Sequence, residues 1–246
     1  ENYDLPKRVE LSSQDPGYSK DYWNSMAELG WLGLPFNEED GGFGGNQIDT
    51  LVIMEQFGKG LVLEPFLANI VLGGGAIQVG GSEELKQEML SSLIEGSKQL
   101  ALAYAEQQSR FDLEDVATSA RQEGDKYIIN GQKSMVLNAE SSDHIVVVTR
   151  TNGGQVDEEG ITLFLVDSNS KGLERNNFPT VDGLRASEIT FDNVEVNPER
   201  MIGDLDKGFS ILRTITNNAI LALCAEAVGA MEVLYKDTVE YTQQRE

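Results

Sequence analysis

The stretch Gly124-Asp125-Lys126-Tyr127-Ile128-Ile129-Asn130-Gly131-Gln132-Lys133-Ser134-Met135-Val136-Leu137 decides the fold. It holds two β-rich runs, 126–129 and 132–137, on either side of Asn130-Gly131. Both residues of that dipeptide tolerate positive φ, so the spacing predicts a two-residue hairpin turn there. Further β-rich runs follow at 144–149, 161–166 and 188–196. In the last of these, the alternation of Ile189, Phe191, Val194 and Val196 breaks at Asp192-Asn193, which predicts a bulge or turn. Short strands with no helices between them imply an antiparallel barrel or sandwich and argue against a Rossmann sheet.

Upstream of about Ala101 the period is helical. Tyr22, Trp23, Met26 and Leu29 keep helical spacing and stop at Gly30, as at a C-cap. Ile48, Leu51, Val52, Met54, Glu55 and Phe57 form a second amphipathic segment that ends at Gly58. Ser82-Glu83-Glu84-Leu85-Lys86 supplies an N-cap with carboxylates in the first turn, ahead of Leu85, Met89, Leu93 and Ile94. Gly41-Gly42-Phe43-Gly44-Gly45 reads as a loop: no strand precedes it and no Lys-Ser/Thr follows, so it is not a phosphate cradle. Gly73-Gly74-Gly75 fails on the same grounds. From Lys207 the pattern is helical to the last residue. Between Arg213 and Glu232 the only charged residue is Glu226. A helix that apolar around its circumference is expected to be sheathed by other helices, either from other subunits or from beyond Glu246.

With 246 residues and 40% apolar composition the chain can bury a sizeable core. Against 41 Asp plus Glu stand only 19 Lys plus Arg, a formal net charge of −22. That surface repels phosphate backbones and anionic lipid, so no nucleic-acid partner is expected. An anionic ligand would need a local basic or backbone-amide cradle. The single cysteine, Cys224, rules out an internal disulfide, and its Ala/Leu-rich surroundings suggest a buried thiol. The polar opening residues carry no signal-peptide pattern, and no apolar run is expected to span a bilayer. A cytoplasmic location is the expectation. His144, beside Ser141, Ser142 and Asp143, reads as a polar loop entering a strand rather than a hydrolytic triad. Glu38-Glu39-Asp40 and Asp157-Glu158-Glu159 are contiguous solvated turns, so no metal site is expected.

Several phrases in a fixed order resemble the acyl-CoA dehydrogenase family, from about Tyr22 onward. They are Gly30-Trp31-Leu32-Gly33-Leu34 with the acidic and glycine-rich loop after it, and Gly81-Ser82-Glu83-Glu84-Leu85-Lys86-Gln87 through Gly96. The same likeness continues in Gly124 to Lys133, in Gly160-Ile161-Thr162-Leu163-Phe164-Leu165-Val166, and in Phe191-Asp192-Asn193-Val194-Glu195-Val196 through Gly208-Phe209. Arg110-Phe111-Asp112-Leu113 and Asp182-Gly183-Leu184-Arg185-Ala186 are most similar to the small subunits of bacterial pimeloyl-CoA-dehydrogenase-type enzymes. The resemblance implies an α+β, multi-domain chain: a helical N-terminal domain (1–100), an antiparallel β-barrel middle domain (101–206), and the first helix (207–246) of a C-terminal helical bundle otherwise absent.

It also implies α,β-dehydrogenation of an acyl-CoA thioester by FAD, with electrons passed to an electron-transfer flavoprotein, in a homo- or hetero-tetramer. The family's flavin-holding stretches fall on Leu102, Tyr104, Ala105 and Phe111, and on Met135, Val136 and Leu137. Phe111 also falls at a substrate-binding position. Ala105 stands where a flavin-bonding threonine is usual, Phe111 replaces a serine near the flavin phosphates, Met135 a tryptophan and Leu137 a threonine. Glu106, Asp112 and Asn138 are retained. Arg245 matches an arginine that reaches the FAD of a neighbouring subunit. The catalytic base is unassigned: one family position reads Ala219 here, and the other lies in the domain expected to be missing. Glu226 reads as a buried partner for a polar group. The second reading is a non-catalytic or half-site partner subunit, and the third another flavin-dependent relative such as an oxidase.

Overall fold

The computed structural model describes residues 3–245. Its centre is one sheet of β1 (Leu100–Ala103), β2 (Ser119–Glu123), β3 (Lys126–Leu137), β4 (His144–Arg150), β5 (Ile161–Asp167), β6 (Leu173–Pro179), β7 (Arg185–Val196) and β8 (Met201–Ile202). The strands run in the order β6-β7-β3-β2-β4-β5-β8, and β1 lies parallel beside β4. The remaining neighbours are antiparallel except at the single parallel pair Ser119–Arg150.

The expected barrel is an open sheet instead. β6 and β8 end the strand path and do not pair with each other. Both have the character of edges: β8 is only two residues long, and β6 carries Glu174, Asn176 and Asn177 on a largely exposed strand. The hairpin turn is displaced too. Glu123 pairs with Lys126, so β2 and β3 turn at Gly124-Asp125, while β3 runs straight through Asn130-Gly131. At that dipeptide the β3–β7 register slips, with Ile129 opposite Val194 and Gly131 opposite Phe191. Asn130 and Gly131 therefore serve a bulge, opposite the interruption read at Asp192-Asn193. Asn193 has φ 52° there, and its amide donates to Asn130 Oδ1 at 2.9 Å.

The unbroken apolar runs of β4 and β5 follow from two cores. Ile145, Val147, Phe164 and Val166 face one core, with Tyr127, Ile129 and Ile189. Val146, Val148, Leu163 and Leu165 face the other, with Leu93, Phe66 and Ile215 of the helical layer. A strand buried on both faces loses its polar alternation.

The helical layer comprises α1 (Leu5–Ser12), α2 (Lys20–Glu28), α3 (Gln47–Gly60), α4 (Gly75–Gly80), α5 (Glu83–Ile94) and α6 (Phe209–Gln244). Ser82 caps α5 as its sequence requires, its side chain accepting from the Leu85 amide. Asn46 and Asp49 form a capping box on α3. Gly73-Gly74-Gly75 is helical, with Gly73 and Gly74 buried: Leu67–Gly74 winds with π-type bonds and continues into α4. Within it Asn69, fully buried, accepts from the Leu100 amide at 2.7 Å and so ties this helix to β1.

One face of α6 packs on α3, and nothing among the described residues sheathes the other. Ile220, Leu223, Val228, Met231, Leu234 and Tyr235 are exposed. Cys224 is exposed as well, contrary to the expectation of a buried thiol. By length and composition alone α6 is apolar enough to cross a membrane, which corrects the expectation that no run is. Its closest approach is to α3: a Cβ on Gly58 would overlap the Glu226 carbonyl, and one on Gly229 the Glu55 carbonyl. Two glycines, one per helix, let the backbones touch at the crossing. Lys59 spans the same crossing, 2.8 Å from both Glu55 and Glu232.

Candidate functional site

The chain leaving β1 and the second half of β3 meet at a buried ion pair. Lys133 Nζ lies 2.7 Å from Glu106 Oε1, with side-chain exposures of 0% and 3%. Lys133 Nζ also donates to the Tyr104 carbonyl at 3.2 Å. Glu106 accepts from the amides of Ala117 and Thr118 and from Gln108 Nε2 at 2.7–3.0 Å. Burial pushes the Glu106 carboxyl up, but the Lys133 charge and these donors outweigh it and hold the carboxyl below its usual range. The pair therefore fixes both ends of the 104–118 loop against β3.

Just beyond Lys133 the strand distorts. The β3–β7 register slips between Lys133 and Val136, which takes Ser134 and Met135 out of the ladder. The Ser134 amide turns to the Ala105 carbonyl at 2.8 Å. Met135 has φ 52° and Asn138 φ 60°, two non-glycine residues in the left-handed region three positions apart. Such backbone costs of order 1–3 kcal/mol per residue and concentrates at functional sites. Asn138 is held by its side chain, whose Nδ2 donates to Gln99 Oε1 at 2.9 Å and to the Leu100 carbonyl at 3.3 Å. Gln99 Nε2 in turn donates to Tyr18 Oη at 2.5 Å.

A cavity of about 350 Å³ lies against this segment. Leu137, Asn138 and Tyr18 line it from the sheet side and the N-terminal loop. Phe57 and Leu61 of the α3 end contribute, as do Leu223, Glu226, Ala227 and Ala230 of α6. The last four recur at helical spacing and so mark the face that α6 turns to the cavity. The wall is mostly apolar, with a few polar groups converging on it, the usual make-up of a small-molecule site.

Among the residues singled out from sequence, the structure gathers Tyr104, Ala105, Met135 and Val136 at the distorted strand, through the Ser134–Ala105 and Lys133–Tyr104 bonds. Leu102 is buried in β1, Val136 is buried in β3, and Met135 is half exposed at 51%. Leu137 reaches the cavity. Phe111 is 96% exposed and packs on nothing. Arg245 is exposed beyond the end of α6 and joins none of these. Ala219 is buried. Glu226 does not partner a buried polar group, contrary to its sequence reading. It is half buried in the cavity wall and makes no hydrogen bond or ion pair among the described residues. His144 starts β4, while Ser142 Oγ is engaged with the Ala139 carbonyl and Ser168, so no triad assembles.

Sequence reading missed Glu64, which is 5% exposed and lines the same cavity. A carboxylate set in Leu61-Val62-Leu63-Glu64-Pro65-Phe66 was the signal available. Its Oε1 accepts from the Ser19 amide at 3.1 Å, and burial raises its pKa.

This arrangement belongs to a known class. Residues 3–97 match the model of the acyl-CoA dehydrogenase N-terminal domain, and residues 101–194 match that of the middle domain. The chain is a member of the acyl-CoA dehydrogenase family of oxidoreductases. It is 32% identical over 93% of its length to a 3-(aryl)acrylate reductase of Clostridium sporogenes, of which it covers 62%. It is 27% identical over 96% of its length to a caffeyl-CoA reductase–Etf complex subunit of Acetobacterium woodii, covering 63% of that protein. It also superposes on the crystal structure of an FAD-dependent dehydrogenase with a TM-score of 0.86 and 28% identity, covering all of this chain and 70% of the other. The chain thus spans a little under two thirds of the length of these two curated relatives.

Proposed function

We propose that this chain carries the flavin edge and acyl cavity of an FAD-dependent acyl-CoA dehydrogenase. The observation that carries the reading is the pairing of a strand taken out of its ladder at Ser134 and Met135 with an apolar cavity immediately beside it at Leu137 and Asn138. A planar ring needs an edge of backbone hydrogen-bonding groups and an open face. Met135, half exposed in left-handed backbone, provides such a place without any side-chain hydroxyl. The hydroxyls missing at Ala105, Phe111 and Leu137 each remove a bond worth about 1 kcal/mol. That weakens cofactor binding without closing the site.

FAD would accept a hydride from the β-carbon of the thioester. The chain's own residues hold and orient. Lys133 and Glu106 fix the 104–118 loop, and the Asn138–Gln99–Tyr18 relay sets the strand that faces the ring. The cavity takes the acyl chain out of water and lays its α- and β-carbons beside Leu137. The α-proton must go to a carboxylate, and Ala219 offers none. The caffeyl-CoA reductase–Etf relative supports a CoA ester as substrate and an electron-transfer flavoprotein as partner.

The second reading, a half-site partner subunit in a heteromeric tetramer, is favoured by the same three lost hydroxyls and by Ala219. Anaerobic titration of the purified protein with acyl-CoA thioesters separates the two. Bleaching of a bound flavin supports the dehydrogenase, whereas a protein that acquires flavin only in complex with a second subunit supports the partner.

A further inference from the structure

The cavity wall has a feature that binding of a plain hydrocarbon chain does not require: it is acidic. Glu226 sits half buried where α6 borders the cavity, beside Leu223, Ala227 and Ala230, with no hydrogen-bond partner for its carboxylate among the described residues. Asp182 and Glu64 line the same cavity. The one cation in the wall, Arg185, is engaged at one nitrogen, while its Nε is buried without a hydrogen-bond partner. Its Nη2 donates to the Ser12 and Gln14 carbonyls at 3.3 and 3.1 Å. Asp182 is likewise engaged, accepting from the Leu184 amide at 3.2 Å and from Thr180 Oγ1. One Glu64 oxygen accepts from the Ser19 amide and the other is buried without a partner. Glu226 is thus the wall carboxylate with no hydrogen bond at either oxygen among the described residues. Burial, then the charge of Asp182, raises its pKa, as expected of an unpaired carboxyl beside apolar wall.

We propose that Glu226 makes this cavity selective for an acyl group that carries a hydrogen-bond donor, a hydroxyl or an ammonium, away from the thioester. The inference rests on the acyl-CoA reading of the site. Glu226 and Leu137 line the cavity from different elements, α6 and β3, so a donor on the acyl group is met from the helix side. A tail ending in carboxylate meets three carboxylates, Glu226, Asp182 and Glu64, against the single cation Arg185, and is disfavoured. A tail ending in methyl leaves the Glu226 carboxylate unpaired and poorly hydrated. A donor satisfies it, and a hydrogen bond to a charged group is strong enough to discriminate about tenfold or more.

The test is calorimetric titration of the purified protein with CoA thioesters of one chain length ending in methyl, hydroxyl, ammonium or carboxylate. The wild type is expected to bind a donor-ended ester about tenfold tighter than the methyl-ended one, and the carboxylate-ended ester weakest. The preference should invert in Glu226→Leu. In Glu226→Gln, which keeps the shape and an acceptor, the hydroxyl preference should persist while carboxylate rejection relaxes. Hydroxyl-to-methyl and ammonium-to-methyl ratios that are both equal in wild type, Glu226→Gln and Glu226→Leu overturn the proposal and leave the acyl-CoA reading standing. Failure of all four esters to bind overturns both. The arm that wins, hydroxyl or ammonium, identifies the donor.

Discussion

Lys133 and Glu106 show how much structure one buried pair can control. Each side chain is almost fully buried, and between them they hold the Tyr104 carbonyl and the amides of Ala117 and Thr118. Removing one partner leaves an uncompensated buried charge. Lys133→Met should therefore cost about 3–5 kcal/mol by denaturant unfolding, and adding Glu106→Leu should recover part of that loss. A double variant no more stable than Lys133→Met alone would contradict the pairing. The carboxyl also sets an acid dependence. Its folded pKa is lowered, so its contribution is complete above the unfolded value of about 4.3 and is lost as pH falls through the folded value. The stability advantage of wild type over Glu106→Gln, followed by thermal melting, should hold at neutral pH and shrink as the pH falls below about 4.3. Neither role was visible in sequence. Lys133 belongs to a motif, but only the folded chain brings it against Glu106, 27 positions away.

The elements were legible to differing degrees, for physical reasons. Helices with their own caps, such as α5 behind Ser82, announce their ends locally. Asn130-Gly131 misled because the backbone freedom that suits a hairpin turn also suits a bulge. Which one forms is decided by β7, some sixty residues downstream. Gly73-Gly74-Gly75, set aside as a phosphate cradle, is helical because packing against β1 and Phe36 overrides the low helix propensity of glycine. At the α3–α6 crossing, glycine is the means of contact. Gly229→Ala should force the two backbones apart and destabilise the protein by about 1–3 kcal/mol. Gly60→Ala on α3, where a Cβ meets only Val62 at ordinary distance, is the control and should change stability far less. Equal melting of the two variants would place the crossing elsewhere. The Lys59–Glu232 bridge over the same crossing is partly exposed and should matter less than the glycine contact.

At the scale of the molecule, the order of helical layer, sheet and long helix was readable because each has its own period and the motifs come in sequence. Closure of the sheet was not, since it depends on whether β6 and β8 meet, and no local pattern records that. The candidate site divides the same way. Its strand positions, Met135 to Leu137, carry a motif. Its cavity draws Tyr18, Glu64, Leu137 and Glu226 from four separate parts of the chain, and only tertiary packing assembles them. The exposed apolar face of α6 at Ile220, Leu223, Val228 and Met231 borders that cavity. The most direct measurement is the flavin content of the purified protein, read from its visible spectrum and by release of the cofactor. The account predicts a yellow protein with FAD bound in proportion to this chain and displaced by substitutions that refold the 133–138 segment. A colourless protein that folds normally, and stays colourless when supplied with FAD, would contradict it.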